Sequence, residues 1–262
     1  MKSIKIVFIG GGNVAYHLAP ALYSKGYDVL QIYSRTIESA ELLAAKVKAR
    51  ATCSMSEITN DADLYIVSLR DDAMLALVED IARGKEDALI VHTSGSIPMS
   101  TWKGKSSRYG VAYPMQTFSK QKALDFSTIP FFLEANNEAD LKLLENIFGS
   151  LSDKVYRADS DLRKKLHLSA VFACNFANHM YTIAADLLQK YDIPFDVLLA
   201  LIDETTAKVH TVEPSKAQTG PAIRGDKVVM NRHLEMLSDM PEAQEIYREI
   251  SNSIQNIKYK ES

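Results

Sequence analysis

Three consecutive glycines, Gly10-Gly11-Gly12, close an apolar, β-branched run that occupies residues 4–9. Behind them Val14, Leu18, Ala19, Leu22 and Tyr23 recur at three- to four-residue spacing, and a second apolar run follows at residues 28–33. A short apolar run bounded by glycine reads as a buried strand, and a period near 3.6 as an amphipathic helix. These first 36 residues therefore predict strand, tight turn, helix and strand in direct succession. That unit seeds a doubly wound α/β sheet and fits few other folds.

Gly10, Gly12 and Ala15 fill the pattern G-x-G-x-x-A, with Asn13 and Val14 between them. The first glycine permits the turn, and the second lets the backbone approach a pyrophosphate. The small third residue lets the helix sit close to the strand. The helix N-terminus adds unsatisfied N–H groups and about half a positive charge. The end of the second strand selects the dinucleotide. An NAD site places Asp or Glu there to accept hydrogen bonds from the ribose 2′-OH. This chain has Ser34-Arg35-Thr36 instead. A guanidinium and two hydroxyls suit a 2′-phosphate, at roughly 1.5–3 kcal/mol per charge-assisted hydrogen bond. The expected cofactor is NADP.

The strand–helix alternation continues: a helix at 37–48, a short strand at 49–52, a continuous apolar strand at 64–69 and another at 88–92. Asp71 and Asp72 are expected to cap a helix over 73–83. Continuous apolar strands fit a parallel sheet covered on both faces. Ligands on such sheets bind at the carboxyl ends of the strands. That rule selects the glycine turn, Ser68-Leu69-Arg70-Asp71 and Thr93-Ser94-Gly95-Ser96. Ser68, Leu69 and Ser94 are expected beside the cofactor, and Ser96 beside the substrate. The alternative is a turn that only satisfies its own backbone. Further strands are predicted at 109–118, 130–134 and 155–157, with a helix at 138–151.

From residue 159 the pattern is helical, which divides the chain into 1–158, a cofactor-binding domain, and 159–262, a helical domain for substrate and dimerisation. Its first helix, 159–190, is apolar nearly all round between Leu166 and Leu188, so it is expected to be buried, centrally or against a second copy. Polar residues interrupt it. At about 100° per residue, Asn178 lies about 20° and Asn175 about 80° from His167, so the three share a face. A histidine is suited to acid–base work near neutrality, although one in an apolar helix also reads as a satisfied core residue. More helices are expected at 195–212, 227–238 and 241–258. Between two of them Gly220, Pro221 and Gly225 argue against a helix, and Arg224 is placed to clamp an anionic substrate or to pair with Asp226.

The 262 residues carry a net charge of −3, with 47% hydrophobic and 24% charged. That balance fits a soluble protein and gives no electrostatic reason to expect nucleic acid or an anionic membrane. No apolar run approaches the roughly 20 residues of a membrane span. Cys53 and Cys174 have neither metal-ligand nor redox spacing, so no metal is expected, and they read as buried, reduced thiols of a cytoplasmic protein.

Beyond the glycine turn and His92-Thr93-Ser94-Gly95-Ser96, the chain carries Pro114-Met115-Gln116-Thr117-Phe118 and Ala173-Cys174-Asn175-Phe176. It also carries Thr219-Gly220-Pro221 with Arg224-Gly225-Asp226. Together these resemble a bacterial group of Rossmann-like proteins whose helical half is a domain of unknown function. The group sits in the 6-phosphogluconate-dehydrogenase-like superfamily with ketopantoate reductase, pyrroline-5-carboxylate reductase and the β-hydroxyacid dehydrogenases. Some of its members are described as deazaflavin-dependent NADP oxidoreductases. The resemblance implies a Rossmann domain followed by an all-α domain. It further implies an NADP-dependent oxidoreductase acting on a small carbonyl or imine compound that bears a carboxylate. A non-catalytic NADP-binding or sensor protein is the second reading. The group usually has histidine where this chain has Tyr113. If Asn175 is the superfamily's asparagine, Val171 stands where the β-hydroxyacid dehydrogenases have their catalytic lysine. His167 and Asn175 are then the expected catalytic pair, with Asn178 and Arg224 as substrate contacts and a homodimer formed through the helical half.

Overall fold

The glycine-closed run forms strand β1, Lys5–Ile9, and the periodic stretch behind it forms helix α1, Asn13–Ser24. The alternation then runs through β2 (Asp28–Tyr33), α2 (Ile37–Val47), β3 (Arg50–Thr52), β4 (Leu64–Val67), α3 (Asp71–Ala82) and β5 (Leu89–His92). After β6 (Arg108–Pro114) and β7 (Phe131–Ala135) come α4 (Glu138–Gly149) and β8 (Val155–Arg157). The computed structural model describes residues 3–261, and the chain divides into two compact units at Asn175/Phe176.

All eight strands join one sheet in the order β3-β2-β1-β4-β5-β6-β7-β8. Every pairing is parallel except β6 with β7, which are antiparallel. The strand order reverses between β1 and β4, which opens the crevice that such sheets use for ligands. Two apolar layers flank the sheet because the central strands are covered on both faces. Phe8, Leu18, Leu43 and Phe148 fill one layer, and Ile9, Tyr65, Ile81 and Trp102 the other.

The helical stretch after β8 departs from a uniform α-helix. Helix α5, Ser160–Ala170, passes into a π-helical segment, Val171–Phe176, before α6, Ala177–Gln189. A π turn holds more residues than an α turn, so a projection at a constant 100° does not carry across it. The wider turn brings Asn175 nearer to the His167 face than the roughly 80° of an ideal helix. Within one chain the helix is not central: Leu168 is 59% and Phe172 64% exposed, so of the two expected places for its apolar surface only a second copy is left. The two cysteines are likewise exposed rather than buried, Cys53 beyond the end of β3 and Cys174 in the π segment.

The second unit continues with α7 (Leu199–Lys208), α8 (Pro214–Ala217), α9 (Pro221–Arg224), α10 (Lys227–Met236) and α11 (Pro241–Glu261). Helix α9 corrects the expectation that Gly220, Pro221 and Gly225 forbid a helix. Pro221 takes the first helical position, where no N–H is needed, and Gly225 ends the turn in the left-handed region at φ 72°. Among the described residues of this unit, the buried hydrophobic side chains are Ala222, Leu237 and Ala243. That is a small core for a helical domain of this size.

Arg108 at the start of β6 reaches the buried Asp140 in the first turn of α4, with Nε 3.1 Å from Oδ1. Burial alone would raise this carboxyl's pKa, but hydrogen bonds from Arg108 and Asn137 outweigh it and hold the pKa below the usual value. A carboxylate of this kind stabilises the fold above the ordinary aspartate pKa of about 3.9. It loses that contribution as pH falls through the lower folded value. Asp140→Asn should therefore lower the melting temperature at about pH 7, and the gap to the native chain should narrow toward about pH 3. Thermal unfolding followed by circular dichroism at both pH values checks this, and a constant gap contradicts it.

Candidate functional site

The turn after β1 admits no side chain at its first position. Gly10 has φ +122°, and a Cβ there would lie 2.3 Å from the Ser68 carbonyl oxygen. Gly11 is tight as well, since its Cβ would come 3.0 Å from Ser34 Oγ. Gly12 is different: its nearest neighbour would be the Ser68 oxygen at 3.8 Å, which leaves space above the backbone. Gly12 is also the N-cap of α1, makes no side-chain cap, and is followed by a first turn without acidic residues. The first amides of α1 are thus available to an anion, as a pyrophosphate site requires. Ala15 is fully buried against the sheet, which lets α1 approach β1 closely. Asn13 is exposed, and its Nδ2 donates to the Phe118 carbonyl at 2.9 Å, tying the loop after β6 to the turn.

At the end of β2 the three polar residues part company. Ser34 is buried, packs beside Gly11, and donates its backbone N–H to the Thr52 carbonyl. Arg35 and Thr36 are exposed. Thr36 is the N-cap of α2 and, like Gly12, makes no side-chain cap, so a second helix N-terminus opens beside a guanidinium. This arrangement fits a 2′-phosphate better than a free hydroxyl, because amides, a hydroxyl and Arg35 all donate.

The carboxyl ends of β4 and β5 carry a hydrogen-bonded rim. Thr93 Oγ1 donates to Ser68 Oγ at 3.2 Å, linking the two loops, while Leu69 beyond Ser68 is half-buried. Ser94 donates its N–H to His92 Nδ1 at 3.2 Å, and its hydroxyl oxygen accepts from the amides of Ser96 and Ile97 at 3.2 and 3.1 Å. Ser96 donates its hydroxyl to the Asp71 carboxylate. Asp71 therefore lies inside the first turn of α3 rather than capping it, because Arg70 is the N-cap. Ser94 and Ser96 largely satisfy their own turn. His92 is fully buried, and burial followed by the nearby Arg163 charge pushes its pKa down to about 3. Its Nε2 makes no well-formed hydrogen bond; the Pro98 carbonyl offers it a weak acceptor.

One step further along the sheet, Tyr113 and His167 meet over Gly95. The Tyr113 hydroxyl lies 3.2 Å from His167 Nδ1, with the rings edge to face. A Cβ on Gly95 would stand 2.8 Å from both His167 Nδ1 and Tyr113 Cζ, so the bare backbone at 95 is what lets the pair sit there. Burial raises the Tyr113 pKa, with the Arg163 charge opposing it, so the phenol keeps its proton at neutral pH. Arg163, one helical turn before His167, fixes the helix. It is fully buried, donates from Nη1 to Glu134 at 2.5 Å and from Nη2 to the Ile97 carbonyl at 2.6 Å. Ser160 Oγ donates to the same Glu134 carboxylate, and Asp159 caps the first turn of α5.

Of the residues singled out from sequence, Gly10, Gly12, Ser68, Ser94 and Ser96 lie along the carboxyl edge, with His167 over Gly95 at its β5–β6 end. Asn175 is exposed in the π segment. Asn178 on α6 and Arg224 at the end of α9 are exposed residues of the second unit, where Asp226 accepts the Val229 N–H as the cap of α10. Sequence reasoning missed the joint role of Gly95, Tyr113 and Arg163. The available signal was an arginine four residues before a histidine, which puts both on one helix face.

Among the described residues no group of three or more His, Cys, Asp or Glu is placed to hold a metal, and no helix is long and apolar enough to cross a membrane. A family described as NADP oxidoreductase coenzyme F420-dependent matches residues 5–95, and Domain of unknown function (DUF2520) matches residues 129–254. A solved candidate NADP oxidoreductase from Bacteroides fragilis is 56% identical, with a TM-score of 0.94 over 97% of this chain and 98% of that one. The imine reductase from Myxococcus stipitatus in complex with NADP+ has a TM-score of 0.67 over 98% of this chain and 93% of that one. At 15% identity that is a likeness of fold alone. The pyrroline-5-carboxylate reductase of Pseudomonas aeruginosa is 30% identical over 111 residues, which span 40% of this chain and 41% of the reductase.

The two outer glycines of the turn should fail in different ways. Gly10→Ala forces an L side chain into positive φ and against a carbonyl, and should cost roughly 1–3 kcal/mol of stability or more. Gly12→Ala should leave stability nearly unchanged and weaken dinucleotide binding. Urea unfolding together with nucleotide titration separates the two, and equal stability losses would contradict the assignment.

Proposed function

We infer the activity from one premise: this chain belongs to the NADP oxidoreductases that join a Rossmann domain to the helical Domain of unknown function (DUF2520). NADP is the cofactor, and the reaction is reduction of a carbonyl or imine carbon in a small compound that bears a carboxylate. The observation that carries this reading is the open N-terminus of α1 above Gly12, on the same sheet edge as the Tyr113–His167 pair. NADPH, when bound, supplies the hydride. The amides of α1 hold the pyrophosphate, and Arg35 with Thr36 and the amides of α2 hold the 2′-phosphate. Ser34 supports that turn from beneath. His167 exchanges a proton with the substrate heteroatom, and Asn175 orients the polarised group. His92 is unsuited to this work, being buried and neutral.

The commitment of the Ser94 hydroxyl oxygen to its own turn and of the Ser96 hydroxyl to Asp71 favours a second reading, a protein that binds NADP without turnover. The two readings part in one set of measurements. Fluorescence titration should show NADPH binding more tightly than NADH, and Arg35→Glu should reverse that order; equal affinities would overturn the cofactor assignment. Small keto acids and cyclic imino acids, tested for NADPH oxidation, should reveal a substrate. His167→Ala should then slow turnover by roughly 10²–10⁴-fold with NADPH affinity nearly unchanged. Tight NADPH binding with no oxidation across the panel would put the sensor reading first.

The same proposal includes a homodimer formed by the helical half. In the second unit Tyr191, Leu201, Val228 and Met236 are each more than 60% exposed, while few apolar side chains are buried. A second copy of the chain supplies a complementary apolar face by two-fold symmetry. Light scattering at micromolar concentration should return twice the chain mass, and a monomer would overturn the dimer.

A further inference from the structure

We propose that Tyr113 is the positioning residue for His167: its hydroxyl holds Nδ1 and leaves Nε2 as the ring nitrogen that meets the substrate. The inference rests on the reading that His167 exchanges a proton with substrate, and it goes beyond that reading by assigning the atom.

The geometry comes from three elements. Strand β6 pairs in parallel register with β5, His92 beside Val111, so Tyr113 lies two residues farther along, past the carboxyl end of β5. Its ring continues an aromatic row across the sheet, 6.4 Å from Phe132 on β7, which stacks 5.5 Å from Tyr156 on β8. That row holds the Tyr113 ring in place, and Gly95 leaves room for its hydroxyl end. His167 approaches from α5, anchored by the Arg163 bonds one turn earlier. Tyr113 is 9% exposed, whereas His167 is only partly buried, so the imidazole stands between the phenol and the open side.

The chemistry follows from the donor inventory. The partner found for this hydroxyl is Nδ1, and in the proposed arrangement the phenol, which keeps its proton, is the donor. A neutral imidazole accepting at Nδ1 carries its own proton on Nε2. When the ring takes a second proton, Nδ1 becomes a donor and the phenol oxygen can accept it after a rotation of the hydroxyl. Tyr113 therefore satisfies Nδ1 in both charge states, as donor to it or as acceptor from it. The charged ring gives its Nε2 proton to the substrate heteroatom and is left with Nδ1–H donating to the phenol oxygen; gain of a solvent proton at Nε2 and loss of the one at Nδ1 then restore the resting tautomer. The charged and titratable groups acting on Tyr113 are Arg163, whose partner is Glu134, and Cys174.

Nitrogen-15 NMR of the imidazoles in the cofactor-free protein tests this without any substrate. His167 is assigned by the signal lost in His167→Ala. In the native chain its neutral ring should be a single tautomer with the proton on Nε2. Tyr113→Phe keeps the ring packing and removes the hydroxyl, and should convert that signal to a mixture of both tautomers. 3-Fluorotyrosine at position 113 alone provides a second measurement that keeps the hydroxyl: a stronger acid of nearly the same shape. It should move the Nδ1 resonance and leave Nε2 where it was. Identical tautomer populations in native and Phe proteins, or no Nδ1 shift with fluorotyrosine, would overturn the proposal. Neither result depends on whether the protein turns over a substrate.

Discussion

The pairing of Arg163 with Glu134 is the contact on which the site depends. A guanidinium with no solvent exposure is tolerable only because its hydrogen bonds are made inside the protein, to a carboxylate on β7 and a carbonyl in the loop after β5. Breaking such a pair from one side typically costs about 3–5 kcal/mol, because the remaining charge is left buried. That cost makes the position of α5 on the sheet a discrete state rather than a soft one. His167 inherits its placement from this anchor, one turn away.

The same guanidinium shapes the charge state of its surroundings. It adds to burial in keeping His92 neutral, and it opposes burial at Tyr113 without reversing it. The result is a sheet edge where two buried groups, an imidazole and a phenol, are both neutral and both act as fixed hydrogen-bonding fixtures. His92 organises the Ser94 amide, and Tyr113 faces His167. His167 is the partly exposed member of the three, beside two fixtures that keep their charge state.

The strands and the glycine turn were legible in the sequence because each depends on neighbours a few residues away. β1, α1 and β2 follow from periodicity, and Gly10 from a backbone conformation that no other residue adopts cheaply. What was not legible involves residues far apart in the chain. The spacing of Ser94 and Ser96 says nothing of Asp71, 25 residues upstream of Ser96, which accepts the Ser96 hydroxyl. Tyr113 meets His167 across 54 residues, and no local pattern announces that. Helix α9 was missed for a different reason: a proline that breaks a helix interior starts one at the first position. The π-helical turn at Val171–Phe176 leaves no mark in hydrophobic periodicity, so the constant step of about 100° used to relate His167 to Asn175 does not apply across it.

Gly95 has a meaning for how such a chain can change over generations. The space a methyl group would need at that position is filled by the His167 ring on one side and the Tyr113 ring on the other. Substitutions at 95, 113 and 167 are therefore not independent events, and their energies cannot be summed from single variants. A small side chain at 95 becomes affordable only after one ring has shrunk, and a shrunken ring leaves a gap that favours a side chain at 95. The three positions, the outer two 72 residues apart in sequence, are bound to drift together or not at all.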